Sequence, residues 1–340
     1  MTQVELGSGD LLDRRGRLTE PGWARREARR YCRLSIAASP LRIKEWDYYC
    51  VLAGDYGLAA VVADNGYMGF LSVTWLDFTA RRAVAESVMT PFPLGRMAMP
   101  QSADAGDIVQ EHPRLKLAFR HTDHGRRLTI DCPGFDRGRG LSGVIDLAQP
   151  PMDRMMIATP WPRAPKAFYY NQKINCMAAT GEVLLGGEPH VFEPGDSFGV
   201  LDWGRGVWTY HNVWYWGSAS GLVGGAPFGF NIGYGFGDTS AASENMLFHD
   251  GVAHKLDEVI FHIPEGTYDG APWRFSSSDG RLEMTFEPIL DRADASDFKI
   301  IRSIAHQVFG RFSGAAVLDD GRQVTFKHLL GFAEKVENAW

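Results

Sequence analysis

The chain has 340 residues, a formal net charge of −6 at pH 7 and 45% hydrophobic residues. This length exceeds the usual size of one compact core, so the sequence predicts two packed lobes. Acidic and basic residues are interspersed, which argues against a nucleic-acid partner because phosphate binding needs a basic patch. The four cysteines form no C-x-x-C pair, so neither a metal site nor a disulfide framework is expected.

The first 17 residues lack the apolar run of a secretory signal. No stretch is long and apolar enough to span a bilayer, so we expect no integral membrane segment. Together these features predict a cytoplasmic protein, and the sequence leaves its oligomeric state open.

Residues 1–40 form a polar lead-in, in which the spacing after Pro21 predicts a short helix over residues 24–31. From Arg42 onward, short apolar runs alternate with turn residues, the pattern of β-hairpins. Residues 88–112 are irregular and rich in Pro and Met, and we expect a loop that covers a pocket. A proline-rich linker then separates a first β lobe, residues 41–164, from a second, residues 165–340.

Hairpin punctuation continues in the second lobe, where Asp250-Gly251, Asp279-Gly280 and Asp320-Gly321 each separate two alternating runs. Residues 328–337 have helical spacing and predict a C-terminal helix. We therefore predict an all-β fold of two consecutive antiparallel barrel or sandwich lobes, with a short N-terminal segment and one helix at the C-terminal end.

The strand candidate that begins at Phe168 carries an unusual polar row. Because side chains alternate across a strand, its two faces hold different sets. One face carries Tyr169, Asn171, Lys173 and Asn175, and the other carries Tyr170, Gln172 and Ile174. The polar row is either the solvent face of a sheet or the lining of an internal cavity.

A second candidate lies in the run LDWGRGVW, where Asp202 and Arg205 are flanked by glycines and tryptophans. They form either an exposed pair in a tight turn or a carboxylate beside an aromatic wall. The following residues, read as one strand, place a row of rings on one face, either a core seam or a pocket wall. That face carries Trp208, Tyr210, Asn212, Trp214 and Trp216, and His211 points the other way.

Residues 228–237 form a strand candidate with aromatic side chains on one face, including Tyr234, and glycines with Asn231 on the other. Glycine at alternate positions indicates close approach by a neighbouring group or ligand. A polar turn carrying Asp238, Glu244 and Asn245 follows. We expect the functional site in the second lobe or at its face with the first, on this strand and on residues 202–216.

Several longer runs of the sequence are distinctive together: YYNQKINCM, LDWGRGVW, WYWGSASG, GFNIGYGFGD, SENMLF, WRF and SSDGRLEM. These runs resemble a bacterial family known only as a domain of unknown function, of the DUF2804 type. That family looks distantly similar to lipocalin-like carotenoid hydratases (hydroxyneurosporene synthases) and to pericyclases. The resemblance implies two lipocalin-like β lobes and chemistry without a cofactor.

The leading hypothesis is a cofactor-independent lyase, hydratase or isomerase that acts on a small apolar or semi-polar molecule. Asp202 or Asp238 would donate a proton, and Glu244 or His211 would remove one or direct water. The candidate substrate-binding residues are Tyr170, Asn171, Lys173, Asn175, Arg205, Trp208, Tyr210, Trp214, Trp216, Asn231, Tyr234 and Asn245.

Two alternatives stay open. Paired carboxylates and tryptophan platforms also suit a glycoside-active enzyme. A lipocalin-like carrier would need only a complementary pocket and would hold its ligand without catalysis.

Overall fold

The fold is described from a computed structural model, which covers residues 3–297 and 302–339. The chain is 62% strand and 3% helix, so the predicted all-β class is confirmed. Two large antiparallel sheets account for most of it. The first is a nearly closed barrel and the second a half barrel, which agrees with two lipocalin-like lobes.

The first sheet has 13 strands, and a short two-stranded ribbon of β1 and β3 lies beside it. Its hydrogen-bonded order is β7-β6-β5-β4-β15-β13-β11-β10-β9-β8, with β12 and β14 also on β13 and with β2 on β12. The bounds are β1 Gly9–Asp10, β2 Gly22–Ala24, β3 Arg29–Arg30, β4 Ile43–Leu52, β5 Tyr56–Asp64, β6 Met68–Asp77, β7 Arg82–Pro91, β8 Ile108–His112, β9 Leu115–Thr122, β10 Gly125–Cys132, β11 Leu141–Ala148, β12 Met155–Pro160, β13 Phe168–Leu185, β14 Glu188–Phe192 and β15 Phe198–Val207.

The second sheet has nine strands in the order β19-β18-β17-β16-β24-β23-β22-β21-β20. Its bounds are β16 His211–Val223, β17 Ala226–Tyr234, β18 Met246–His249, β19 Val252–Lys255, β20 Val259–His262, β21 Trp273–Ser277, β22 Leu282–Asp297, β23 Arg302–Val317 and β24 Gln323–Ala339. The helical elements are short: α1 Phe135–Gly138 and two 3-10 turns, Arg33–Ser35 and Pro40–Arg42.

The predicted C-terminal helix is wrong, because residues 328–337 lie within β24. This strand is central in its sheet, and residues 329–336 are buried or half-buried on both of its faces. Leu329 and Ala333 pack into the core of the second sheet, whereas Phe332 packs toward the first. A strand that is apolar on both sides has no clear period of two, so its sequence imitates a helix.

The predicted helix over residues 24–31 is also wrong, since this stretch contains the end of β2 and all of β3. Its arginines bind acids on neighbouring segments instead of forming a helical face. Arg29 pairs with Glu20 and Arg30 with Asp10, each at 2.5 Å. Backbone pairing of β2 with β12 and of β3 with β1 thus overrides the helix propensity of this segment.

The chain changes sheets between Val207 and His211, later than the linker at which the sequence predicts the lobe boundary. Residues 168–207 contribute β13, β14 and β15 to the first sheet. The linker itself contains β12, which pairs with β13. The expected boundary at 164/165 therefore does not coincide with the change of sheet.

Each sheet encloses its own apolar core, and two further apolar clusters lie where the sheets meet. Trp203 and Trp273 are fully buried inside the first and second sheets respectively. Burial of a large apolar side chain contributes about 1.5–3 kcal/mol. The contact between the sheets contains Trp208, Trp216 and Phe332, and it is the region where polar side chains are also buried.

Candidate functional site

An inter-sheet cleft lies between the two sheets and consists of two adjoining chambers. The apolar chamber has a volume of about 300 Å³ and the polar chamber one of about 250 Å³. Both chambers are lined by Trp46, Val61, Asp202, Trp216 and Glu334. The apolar chamber adds Ala63, Asn65, Phe70, Lys173, Trp208, Trp214 and Phe236, and the polar chamber adds Tyr48, Arg292, Asp294, Ala305 and Gln307.

Asp202 and Lys173 form a buried ion pair in the floor of the cleft. They are directly opposite each other on β15 and β13, so the strand register brings them together. Lys173 Nζ lies 2.9 Å from Asp202 Oδ2, and Asn171 Nδ2 donates to Asp202 Oδ1 at 2.6 Å. The ammonium group also lies 3.7 Å from the ring centroid of Trp216. The carboxylate is thus fixed in position while it still borders the chamber.

Glycine beside Asp202 makes room for the aromatic floor. Gly204 faces the same side of β15, and a Cβ there would overlap the indole of Trp46. Trp46 in turn lies edge-on to Trp208 at 5.5 Å between ring centroids. The glycines flanking the Asp202 run thus have a steric role beside the cleft.

Glu334 is a second buried acid in the cleft, and the sequence analysis did not single it out. It accepts hydrogen bonds from Trp214 Nε1 at 2.9 Å and from Gln307 Nε2 at 3.1 Å. Burial raises the pKa of Glu334 to about 7, against the lowering effect of the Trp214 hydrogen bond. Such a carboxyl group changes its protonation state near neutral pH, as a general acid must.

Glu244 is a third buried acid and lies behind the cleft. Burial raises its pKa to about 7, which the charge of Lys173 partly offsets. Neither carboxyl oxygen has a hydrogen-bond partner among the described residues. Its carboxyl group occupies the space that a side chain at Gly233 would fill, so this glycine accommodates a protein group.

Tyr169 lies within electrostatic range of all three acids, Asp202, Glu244 and Glu334. Its pKa is raised well above the usual range by burial and further by the charges of Glu244, Asp202 and Glu334. The ring stacks on Phe236 at 4.7 Å between centroids. The hydroxyl is buried and has no hydrogen-bond partner in the described part of the chain. Phenol and carboxyl groups therefore share one poorly solvated region.

The walls of the apolar chamber are aromatic. Trp208 lies edge-on to Trp214 at 5.2 Å, and Trp214 lies 5.8 Å from Phe236. The residues from Trp208 to Tyr210 do not continue a strand, because β15 ends at Val207 and β16 begins at His211. The rings of Trp208 and Trp214 thus meet across the crossing between sheets, and not along one strand face.

The four predicted catalytic residues do not lie together in the structure. Asp202 lines the cleft and Glu244 lies directly behind it. Asp238 is in a loop, where its side chain accepts a hydrogen bond from the backbone of Ser240. His211 is exposed and packs edge-on against Tyr210. Neither of the last two lines the cleft, so their catalytic roles stay predictions without a place in this site.

The predicted substrate-binding residues divide between the cleft and other regions. Lys173, Trp208, Trp214 and Trp216 line it. Asn171 and Asn231 support it from behind, since Asn171 binds Asp202, and Asn231 accepts from Trp216 Nε1 at 2.7 Å. The remaining six lie elsewhere: Tyr170, Asn175, Arg205, Tyr210, Tyr234 and Asn245.

Each of these six has another environment. Tyr170 and Arg205 face the core of the first sheet, where Arg205 binds Asp47 at 2.9 Å. Tyr210 is exposed, and Tyr234 and Asn245 line a separate groove on the second sheet. Asn175 donates to Ser218 Oγ at 2.8 Å. Residues 169–175 are buried on both faces, so the solvent-face interpretation of this strand is wrong.

In the part of the chain that the structure describes, no group of three or more His, Cys, Asp or Glu residues is arranged to hold a metal ion. No helix within residues 3–297 and 302–339 has the length and hydropathy to cross a membrane.

Two packed antiparallel β lobes with a cleft between them define the class of this protein, a two-lobed all-β fold. The chain belongs to the family described as domain of unknown function DUF2804, whose model matches residues 2–340. No curated protein matches the sequence.

Two solved structures share the fold. One is a protein of Nitrosomonas europaea with the provisional description AttH, at a TM-score of 0.55 and 15% identity, covering 86% of this chain and 92% of that one. The other is kievitone hydratase of Nectria haematococca, at a TM-score of 0.50 and 12% identity, covering 87% of this chain and 88% of that one. At these identities the likeness concerns the fold alone.

Proposed function

We propose that the protein is a cofactor-independent lyase of the hydratase type that acts on a small, largely apolar molecule. One observation carries this proposal. A buried carboxyl group with a pKa of about 7, Glu334, lines the same cleft as the ion-paired carboxylate of Asp202. Hydration of a double bond requires a proton donor and a proton acceptor around one apolar space, and this pair provides both.

In the hydration direction, Glu334 gives its proton to one carbon of the double bond. Positive charge then develops at the other carbon, and the indole faces of Trp208 and Trp214 stabilise it. Asp202 takes a proton from water as the water oxygen bonds to that carbon. The proton on Asp202 returns to Glu334 through solvent, which restores both groups. Dehydration follows the same steps in reverse.

Glu244 has a supporting role in this proposal. Its carboxyl group is coupled electrostatically to both Lys173 and Asp202, and it lies outside the lining of the two chambers. While Glu244 is protonated, it adds no second negative charge beside Asp202. When it ionises, it places a second negative charge near the Lys173–Asp202 pair. The working range of the site is thus expected near the pKa of Glu244.

The proposal is tested by incubating the protein with isoprenoid alkenes and alkenyl phenols in ¹⁸O-labelled water. Mass spectrometry should detect a product that carries the labelled oxygen. The Glu334→Gln variant should lower the rate by about 100-fold or more, the usual contribution of a general acid. The matched control is Glu337→Gln, on the same strand, whose side chain is half-exposed and pairs with Lys335 at 2.8 Å. Full turnover in Glu334→Gln would refute the acid role.

The same panel separates the competing proposals. A glycoside-active enzyme would release sugar from aryl glycosides, and that reaction would also depend on Glu334. A carrier would show a ligand-dependent rise in melting temperature with no labelled product. The apolar side chains Val61, Ala63 and Phe70 in the chamber wall favour an apolar substrate over a sugar.

A further inference from the structure

We propose that the polar chamber is an anion subsite in which Arg292 binds a carboxylate of the substrate. This inference rests on the proposed function, which supplies the reaction, and it adds that the substrate carries a carboxylate. The substrate would be amphipathic, with its reacting apolar part in the apolar chamber and its acidic group in the polar chamber.

Arg292 is the cationic side chain in the lining of the polar chamber, and it lies half-buried on β22. Its Nη1 donates to Gln307 Oε1 at 3.1 Å. Within residues 3–297 and 302–339, Arg292 forms no ion pair with an Asp or Glu. Other buried arginines of this protein do hold carboxylates: Arg154 binds Asp104 at 2.6 Å and Arg205 binds Asp47 at 2.9 Å.

A guanidinium group presents five N–H donors in a planar fork that matches a carboxylate. A cation at a partly desolvated position costs free energy unless an anion or several hydrogen bonds compensate it. One amide oxygen supplies only part of that compensation at Arg292. The chamber beside it, of about 250 Å³, is large enough to hold a carboxylate group.

Three acidic side chains line the polar chamber beside Arg292. Asp202 is already paired with Lys173, and burial raises the pKa of Glu334 to about 7. Asp294 lines the same chamber and is exposed, so its charge is screened by solvent but still opposes an incoming anion. The acidic group is therefore expected to lie on the inner side of Arg292, toward Gln307.

Gln307 connects the subsite to the proposed acid. Its Oε1 accepts from Arg292 and from the hydroxyl of Tyr48 at 3.3 Å, and its Nε2 donates to Glu334 Oε2 at 3.1 Å. These bonds fix the amide orientation, with oxygen toward the cation and nitrogen toward the carboxyl. A carboxylate held by Arg292 would thus be positioned one side chain away from Glu334. Arg292 would be a specificity residue that orients the substrate for protonation.

The test uses a pair of probes that share one ring system and differ in charge, 1-naphthoate and 1-naphthamide. Affinities are measured by calorimetry at neutral pH, where naphthoate is ionised. We expect the wild type to bind naphthoate about tenfold more tightly than naphthamide, as a charge-assisted bidentate contact should allow. The Arg292→Gln variant should bind the two probes about equally, mainly through weaker binding of naphthoate.

Three variants complete the design. Arg311→Gln removes a half-buried arginine on the neighbouring strand that bonds to the Gly54 carbonyl, and it should keep the wild-type preference. Val61→Phe should weaken binding of both probes, because Val61 lines both chambers. Asp294→Asn should tighten naphthoate alone.

Equal binding of both probes by the wild type, or an unchanged preference in Arg292→Gln, would overturn the anion subsite and leave the proposed hydratase intact. Failure of both probes to bind would overturn the subsite and also the aromatic cleft on which the proposed function depends. Failure of the labelled-water experiment alone would refute the proposed reaction and leave the binding preference in place.

Discussion

Strand β15 carries two buried ion pairs on opposite faces, and their surroundings differ. Arg205 faces the core of the first sheet. Its guanidinium makes five hydrogen bonds, to Asp47 and to the carbonyls of Pro100, Trp46 and Gly204. A guanidinium group has five N–H donors, so this cation is saturated.

The pair on the other face is different. Lys173 holds one oxygen of Asp202 and lies against the Trp216 ring, while Asn171 holds the other oxygen and leaves its own Oδ1 without a partner in the described residues. Both residues of this pair border a chamber. A guanidinium group whose donors are all used has none left for a ligand, whereas an incompletely bonded pair beside a cavity can still bind one. Both pairs are buried, so burial does not distinguish them. They differ in how many of their donors and acceptors have hydrogen-bond partners.

The largest effect is expected at the saturated pair. Arg205→Met leaves Asp47 buried without its cation and removes the donors from three carbonyl groups. Loss of one partner of a buried pair costs about 3–5 kcal/mol. Urea unfolding should show this loss in the free energy of unfolding. A change of less than 1 kcal/mol, of the order of one surface pair, would mean that the pair contributes little and that the contrast drawn here is false.

The next largest effect is the pH dependence of the free energy of unfolding that Glu334 causes on the cleft side. Burial raises the pKa of Glu334 from 4.5 to about 7, so the folded state favours its neutral form. The corresponding stability is fully present below about pH 4.5 and is lost as the pH rises through 7. Between pH 5 and pH 8 the wild type should lose about 2–3 kcal/mol through this group, because roughly 1.8 of the 2.5 units of pKa difference act in this window at about 1.36 kcal/mol per unit.

The Glu334→Gln variant should lack that loss, although Glu244 contributes a loss of the same sign in both proteins. The measurement is urea unfolding of the two proteins at both pH values. Parallel stability curves would show that Glu334 ionises normally.

A smaller effect is expected from Gly204→Ala on the cleft face of β15. The added methyl group would overlap the Trp46 indole, which must then move. Overpacking of this kind costs about 1–3 kcal/mol. Thermal melting should report the cost, and binding of 1-naphthamide should weaken as well. A fully stable variant with unchanged binding would show that Trp46 is free to shift and does not form the floor of the cleft.

The smallest effect concerns Trp214→Phe, which removes the N–H donor to Glu334 and keeps an aromatic ring. One hydrogen bond contributes about 0.5–1.5 kcal/mol. Since this bond lowers the pKa of Glu334, its loss should raise that pKa further. The pH profile of stability should therefore move to higher pH. A profile that stays in place or moves to lower pH would contradict the assigned bond.

The hairpin architecture was predictable because its signals are local. In the turn between β18 and β19, both Asp250 and Gly251 have positive φ, as the two-residue hairpin type requires. Asp and Gly at these positions identify the turn without knowledge of the partner strands. The same reasoning fails for β24, where burial on both faces removes the alternation that identifies a strand.

The site was only partly predictable, for a related reason. Asp202 and Lys173 were both singled out, yet their pairing depends on the register of β13 against β15, which no local pattern encodes. Glu334 was missed because its segment was interpreted as a helix. The sequence does contain one indication of Glu334, because it is an acid within the largely apolar run 329–336. A carboxyl group in such a run is expected to be buried, and burial requires hydrogen-bond partners or a shifted pKa.

The crossing between sheets at residues 208–210 has a consequence for synthesis on the ribosome. Strand β4 can pair with β15 only after the chain has been synthesised as far as Val207. Strand β16 can pair fully with β24 only after synthesis has reached Ala339. Pairings so distant in sequence form slowly, and until then the open strand edges are prone to aggregation. Glu334, on β24, emerges well after β15, the last strand of the first sheet in chain order. A nascent chain can thus form its first sheet well before the second wall of the cleft exists.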